Sequence, residues 1–141
     1  MKNKDTAQPP YISMEDMVQV DRLMVSHYGI QLAQMMENAG RNLAELARER
    51  FLGGNVQKKK VIVLVGSGGN GGGAMVGARH LHNWGADVSL FLTTSIDQLT
   101  VTILNQARII QNLNIEMNQI GQPDFAEKLD LVIDGIIGYS L

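Results

Sequence analysis

VIVLVGSGGNGGGAM, Val61 to Met75, sets five apolar residues directly before six glycines in eight positions, with Asn70 among them. The unbroken β-branched and aliphatic run Val61–Val65 predicts a strand covered on both faces, as in a parallel sheet. The glycines lead into a helix expected from about Gly72 to Trp84 and closed by Gly85, and DVSLFLT, Asp87 to Thr93, reads as a second strand. Together these segments form a βαβ unit. Towards the C-terminus, Ser95 with Gln98 offers a capping box for a helix over Leu99, Ile103, Ala107, Ile110 and Leu113. A short strand at Ile115–Met117, a loop with Gly121 and Pro123, and a third long strand at Leu129–Ile133 follow.

Towards the N-terminus, Lys58–Lys60 keep the strand entrance solvated. A helix from about Gln31 to Phe51 places Leu32, Met35, Met36, Ala39, Leu43, Leu46 and Ala47 on one stripe and stops at Gly53-Gly54. Before it, Ser13 with Asp16 resembles a capping box for a helix carrying Met17, Val20, Met24 and Tyr28, ended by Gly29. Residues 1–10 are polar, end in Pro9-Pro10, and read as a flexible tail, leaving 11–141 as one domain. The expected fold is α/β: a Rossmann-like three-layer α/β/α sandwich with a mostly parallel sheet, preceded by two N-terminal helices. A strand followed by GIIGYSL ordinarily feeds another element, so the domain is expected to be truncated at its C-terminal end.

With 141 residues, 45% hydrophobic and 18% charged, and a net charge of -2, the chain fits a single globular core and carries no electrostatic footprint for nucleic acid. Without cysteine it has neither disulfides nor thiolate metal sites. It has no apolar run of membrane-spanning length, and its start lacks the apolar core of a signal peptide, so a soluble, cytoplasmic protein with no membrane partner is expected.

Gly66-x-Gly68-x-x-Gly71 matches a dinucleotide fingerprint in its proper context, after a strand and before a helix. Bare backbone lets a pyrophosphate approach, and the helix N-terminus directs free N–H groups at it. A P-loop is excluded because Gly72 and Gly73 stand where the lysine and hydroxyl would be. A dehydrogenase is disfavoured because the second strand ends in Thr93-Thr94 rather than in an acid for the ribose hydroxyls. Asn70 can belong to the turn, since asparagine tolerates left-handed backbone, or can offer its amide to a ligand or cation. Asp134, at the end of the third strand and the same sheet edge, can cap a helix or turn, as strand-end carboxylates commonly do, or, followed by GIIG, can join Asn70 around a hard cation or act as one acid/base carboxylate. His80 and His82, two apart on a helix, point in different directions and do not suggest a shared metal; His27 suits a helix C-terminus. Glu37-Asn38 can reach the ligand edge from the second helix, but a helix-interior polar pair is more often exposed or hydrogen-bonded to a neighbouring element; the eight methionines are read as packing.

The order of VDRLMVSHYGI, MMENAGRNLAELARERF, VIVLVGSGGNGGGAMVGARHLHNWGADVSLF and DLVIDGIIGYSL resembles the YjeF N-terminal domain, the NAD(P)H-hydrate epimerase family, over about Met14 to Leu141. The resemblance implies interconversion of the R and S hydrates of NADH and NADPH, a bound potassium ion, a homodimer, and a dehydratase domain either fused or separate. It makes Asn70 and Asp134 potassium ligands and Asp134 the neighbour of the reacting ring. Gly71 and Gly72 fall where backbone contacts the dinucleotide, with Gly68 in the same turn, and Gly138 opens a substrate-contacting segment. The family's glycine turn reads N-N-G-G-D, so Gly69 and Gly73 depart from it and offer backbone contacts alone. Loss of the acid at Gly73 leaves a second reading open, a weak or inactive nucleotide-binding or protein-interaction module.

Overall fold

The computed structural model describes residues 11–119 and 128–138. The expected tail at 1–10, the loop with Gly121 and Pro123, and Tyr139 lie outside the described residues. The chain divides between Gln31 and Leu32 into two compact units.

The first unit contains helix α1, Met14–Ser26. Ser13 forms the expected cap: its Oγ accepts from the Asp16 N–H at 3.1 Å and donates to the Asp16 carboxylate at 2.9 Å. After the helix, Gly29 takes φ +69°, a left-handed conformation that glycine adopts without strain.

The second unit holds helices α2 (Leu32–Leu46), α3 (Gly69–Asn83) and α4 (Val101–Asn112) and strands β1 (Lys60–Val65), β2 (Asp87–Leu92), β3 (Glu116–Gln119) and β4 (Leu131–Gly135). The second expected helix is present but shorter; its last stretch, Ala47–Phe51, winds as a π-helical turn. All three strand pairings are parallel, in the order β3-β2-β1-β4. The α/β architecture with a parallel sheet is therefore as expected.

Alternation along the strands builds the core. Val61, Val63 and Val65 of β1, Val88, Leu90 and Leu92 of β2 and Ile133 of β4 are all buried, in one cluster with Ala74, Ala78 and Leu81 of α3 and Ile103, Ala107 and Ile110 of α4. Each buried aliphatic side chain of this size contributes about 1.5–3 kcal/mol. The opposite face is more open: Leu64 and Phe91 are half-buried and Val132 is exposed. Helix α2 packs on α3 through Gly40, where a Cβ would stand only 2.5 Å from the Gly73 carbonyl oxygen and from Val76 Cβ. Backbone meets backbone there, so α2 lies directly behind the first turns of α3.

Three expected boundaries shift. Helix α3 starts at Gly69 rather than Gly72, so Asn70 is its second residue and not part of a turn; Asn70 is not among the residues of positive φ. The Ser95 capping box yields only a 3₁₀ turn, Ile96–Gln98, with no side-chain cap from Ser95, and α4 begins at Val101. Strand β4 runs two residues later than expected, because the Asp130 carboxylate binds Lys59 Nζ and the Lys60 N–H, each at 2.9 Å, before strand pairing begins at Leu131. Asp134 consequently lies inside the strand, one residue from its end.

Candidate functional site

The chain runs outward from β1 through α3, β2 and α4 to β3, then returns to place β4 on the other side of β1. The strand order thus reverses between β1 and β4, and open α/β sheets bind ligands in the crevice outside the carboxyl ends of such strands. Both segments singled out from the sequence emerge there: Gly66–Gly73 after β1, and Asp134–Gly138 at the end of β4.

The two segments are in intimate contact. The Gly66 N–H donates to the Gly135 carbonyl at 3.1 Å, and a Cβ on Gly66 would fall 1.9 Å from the Ile136 carbonyl oxygen. Within the turn, a Cβ on Gly71 would fall 1.9 Å from the Gly66 carbonyl oxygen. Gly66 and Gly71 are therefore demanded by the fold. Gly72 rests on Met36 of α2, whose sulfur would be 2.8 Å from an added Cβ.

Gly68, Gly69 and Gly73 are different. A Cβ at any of them meets nothing within 4 Å, and none has a positive φ. Neither packing nor backbone conformation requires glycine at these three positions, although glycine inside a helix costs up to about 1 kcal/mol relative to alanine. Their bareness leaves the outer side of the first turn of α3 open to a ligand, while the helix start supplies free N–H donors and a partial positive charge.

Two side chains converge on the loop that follows β4. Asp134 Oδ1 accepts from the Ile136 N–H at 2.9 Å, an Asx-type turn that leaves Oδ2 without a described partner. Asn70 Nδ2 donates to the Ile137 carbonyl at 2.9 Å, leaving Oδ1 without one. Gly138 lies against Asn70; a Cβ there would be 3.1 Å from Asn70 Cγ and Oδ1. The structure thus gathers Asn70, Asp134, Gly138 and the glycine turn around the backbone of Gly135–Ile137, at the carboxyl edge of the sheet. The side chains that the sequence singled out are joined by the backbone of Gly135, Ile136 and Ile137, which it did not. Two isoleucines in a row signal only apolar character, and no side-chain pattern discloses a carbonyl's partner.

A second concave feature lies between the helices, an open depression of about 500 Å³ lined by Ala33, Gln34, Glu37, Asn38 and Arg41 of α2, His80 of α3 and Gln106 of α4. Glu37 ties α2 to α3: its Oε2 takes Arg79 Nη2 at 2.5 Å and its Oε1 contacts His80 Nε2 at 2.8 Å. The cross-bonded reading of Glu37 is the one realised, and His80 also packs its ring against Trp84. Desolvation pushes the Glu37 carboxyl up, but the hydrogen bonds from Arg79 and His80 and their charges outweigh it and hold it below the ordinary 4.5. A carboxyl depressed on folding stabilises the native state at neutral pH and loses that contribution as pH falls through its folded value. Wild type is therefore expected to melt above Glu37→Gln at pH 7, with the gap closing as the pH is taken down past the ordinary 4.5 in a series of thermal melts. Among the described residues, no group of three or more His, Cys, Asp or Glu could hold a metal, and no helix is long and apolar enough to cross a membrane.

Comparison with known proteins agrees with this architecture. The crystal structure of a yeast protein superposes with a TM-score of 0.80 and 26% identity, over 94% of this chain and 58% of that one. The NAD(P)H-hydrate epimerase of Dehalogenimonas lykanthroporepellens is 41% identical over 130 residues, 92% of this chain and 52% of the relative. The bifunctional NAD(P)H-hydrate repair enzyme of Moorella thermoacetica is 33% identical over 90% of this chain and 25% of its own length. The chain spans about half the length of the single-function relative, and less of the bifunctional one. The profile of the YjeF-related protein N-terminus matches residues 32–141, the unit that carries the sheet and the whole of the crevice, and the chain belongs to that family.

Proposed function

We propose that the crevice between β1 and β4 is the site of an epimerase that interconverts the R and S forms of hydrated NADH and NADPH. The observation that carries this reading is the meeting of the glycine turn with Asn70 and Asp134 at the sheet's switch point. The names of relatives on both sides of the size range, epimerase and bifunctional hydrate repair enzyme, support the substrate class.

The pyrophosphate lies against Gly68–Gly72, where N–H groups and helix dipole favour an anion. Asn70 Oδ1 and Asp134 Oδ2, neither of which has a partner among the described residues, would supply oxygen donors suited to a hard cation such as potassium. When bound, potassium supplies a positive charge beside the hydrated ring. Asp134 accepts the hydroxyl proton as the adjacent ring C–N bond opens to a carbonyl and its electron pair passes to the ring nitrogen, conjugated with the carboxamide; the nitrogen then closes on the opposite face of the carbonyl and the proton returns to the oxygen. The reaction inverts one centre and needs no hydride acceptor. A homodimer and a dehydratase, fused or separate, are the partners this role implies, in a cytoplasmic setting.

Incubating one purified hydrate epimer of NADPH with the protein in potassium buffer tests the reading. Chromatography should show equilibration well above the spontaneous rate; an unchanged rate would refute it.

The absence of any acid in the first turn of α3 favours one other reading, a binding module without catalysis. Gly73→Asp separates the two, because the added side chain has open space and the fold should accept it. If the wild type is an enzyme, Gly73→Asp is expected to change its rate by less than about tenfold, whereas activity appearing only in the variant identifies a lapsed enzyme.

A further inference from the structure

We propose that Asn70 is a positioning residue, a latch that holds the loop after β4 closed over the first turn of α3 and so assembles the crevice. The inference rests on reading that crevice as the nucleotide site.

The loop Ile136–Gly138 has few anchors. Ile137 is 60% exposed and Gly138 is exposed, so burial contributes little to their placement. At its root the Ile136 N–H is held by Asp134 Oδ1. Further out, the Ile137 carbonyl is held by Asn70 Nδ2 at 2.9 Å, across 67 residues of sequence. The backbone of Gly138 then lies on the Asn70 amide, an added Cβ being 3.1 Å from Cγ and Oδ1 and 3.2 Å from Nδ2. One planar group thus makes a directional bond to one residue of the loop and a flat seat for the next. The same bond fixes the amide's orientation: with Nδ2 turned to the carbonyl, Oδ1 is the atom presented to a ligand or cation.

A latch and a cation ligand make different demands on residue 70. Aspartate keeps an oxygen for a cation but has no N–H for the Ile137 carbonyl, and sets one oxygen against another. Gly138→Ala attacks the latch from the other side, by pressing a methyl group onto the amide. Where residue 70 is already alanine, that methyl has room.

The experiment compares Asn70→Ala, Asn70→Asp, Gly138→Ala and the double variant Asn70→Ala/Gly138→Ala, reading hydrogen exchange at the Ile136 N–H, the loop amide held by Asp134 Oδ1, and the kcat and KM for hydrated NADPH. The expected result is a loss of loop protection of about tenfold, the worth of one ordinary hydrogen bond, in all three single variants. KM is expected to rise with it in Asn70→Asp as in Asn70→Ala, and Gly138→Ala should add nothing to Asn70→Ala. Wild-type protection and KM in Asn70→Asp, or losses at Asn70 and Gly138 that multiply, would overturn the latch. The exchange measurements need no substrate, so they decide the latch even if wild type neither binds nor converts the hydrate, a result that would refute the functional reading instead.

Discussion

Asp134→Asn should slow epimerisation of hydrated NADPH by about 10²–10⁴-fold, the range typical of losing one general acid–base group. The substitution is chosen to remove the chemistry and little else. Asparagine retains an oxygen that can accept from the Ile136 N–H, so the turn following β4 stays closed. Asp134 is exposed, so no buried charge is left unpaired and the melting temperature should move by only about 2 °C or less. What is lost is the ability to take the hydroxyl proton, and with it the negative charge facing a cation. The fall should appear in kcat, with a smaller rise in KM from weaker cation binding. Equal losses in fluorescence-monitored binding and in kcat/KM, with kcat unchanged, would make Asp134 a binding residue and remove the acid/base assignment.

The second large effect is on stability. Gly71→Ala is expected to cost upwards of about 3 kcal/mol, because its methyl group would stand 1.9 Å from the Gly66 carbonyl oxygen and 2.8 Å from the carbonyl carbon. These are backbone atoms in the turn that also receives the Ile136 carbonyl beside Gly66, so no side chain can swing aside to make room. Relief requires α3 to slide relative to β1, which would pull Gly72 off Met36. Gly69→Ala, two positions earlier, should do the opposite. With nothing within 4 Å of the new methyl and no positive φ, it should be neutral or stabilise by up to about 1 kcal/mol. Urea titrations of the two variants check both signs; similar losses at 69 and 71 would mean that the whole turn, and not its inner side alone, is set by packing.

Much of this arrangement was legible in the amino-acid order. Val61–Val65 announced a buried strand, although the face carrying Leu64 is the more open one, and the alternation of strand and helix implied a parallel sheet with the glycine turn at its carboxyl edge. Asp134 could be placed at the same edge from the run that precedes it. Helix α3 begins three residues before its expected start because, although glycine propensity argues against a helix at Gly69, tertiary contacts prevail there: Gly71 packs on Gly66, Gly72 on Met36, and the Gly72 N–H reaches the Gly68 carbonyl at 3.3 Å. At Ser95 the local pattern fails for the converse reason. Its local hydrogen bonding serves Asp97, whose carboxyl it helps to hold below the ordinary range, while Leu99 returns to extended backbone before α4 begins. The contribution of Ile136 and Ile137 was invisible because it is made by peptide groups, whose partners depend on topology.

The central claim is that the hydrated dinucleotide binds in the switch-point crevice between β1 and β4. Titrating the isotopically labelled 15.5 kDa chain with hydrated NADPH and following its amide resonances locates the ligand directly. The largest shifts are expected at Gly68–Gly73 and Ile136–Gly138, and Asp134→Asn should weaken them without moving them elsewhere. Shifts confined to Ala33–Arg41, His80 and Gln106, around the depression between α2, α3 and α4, would contradict the claim.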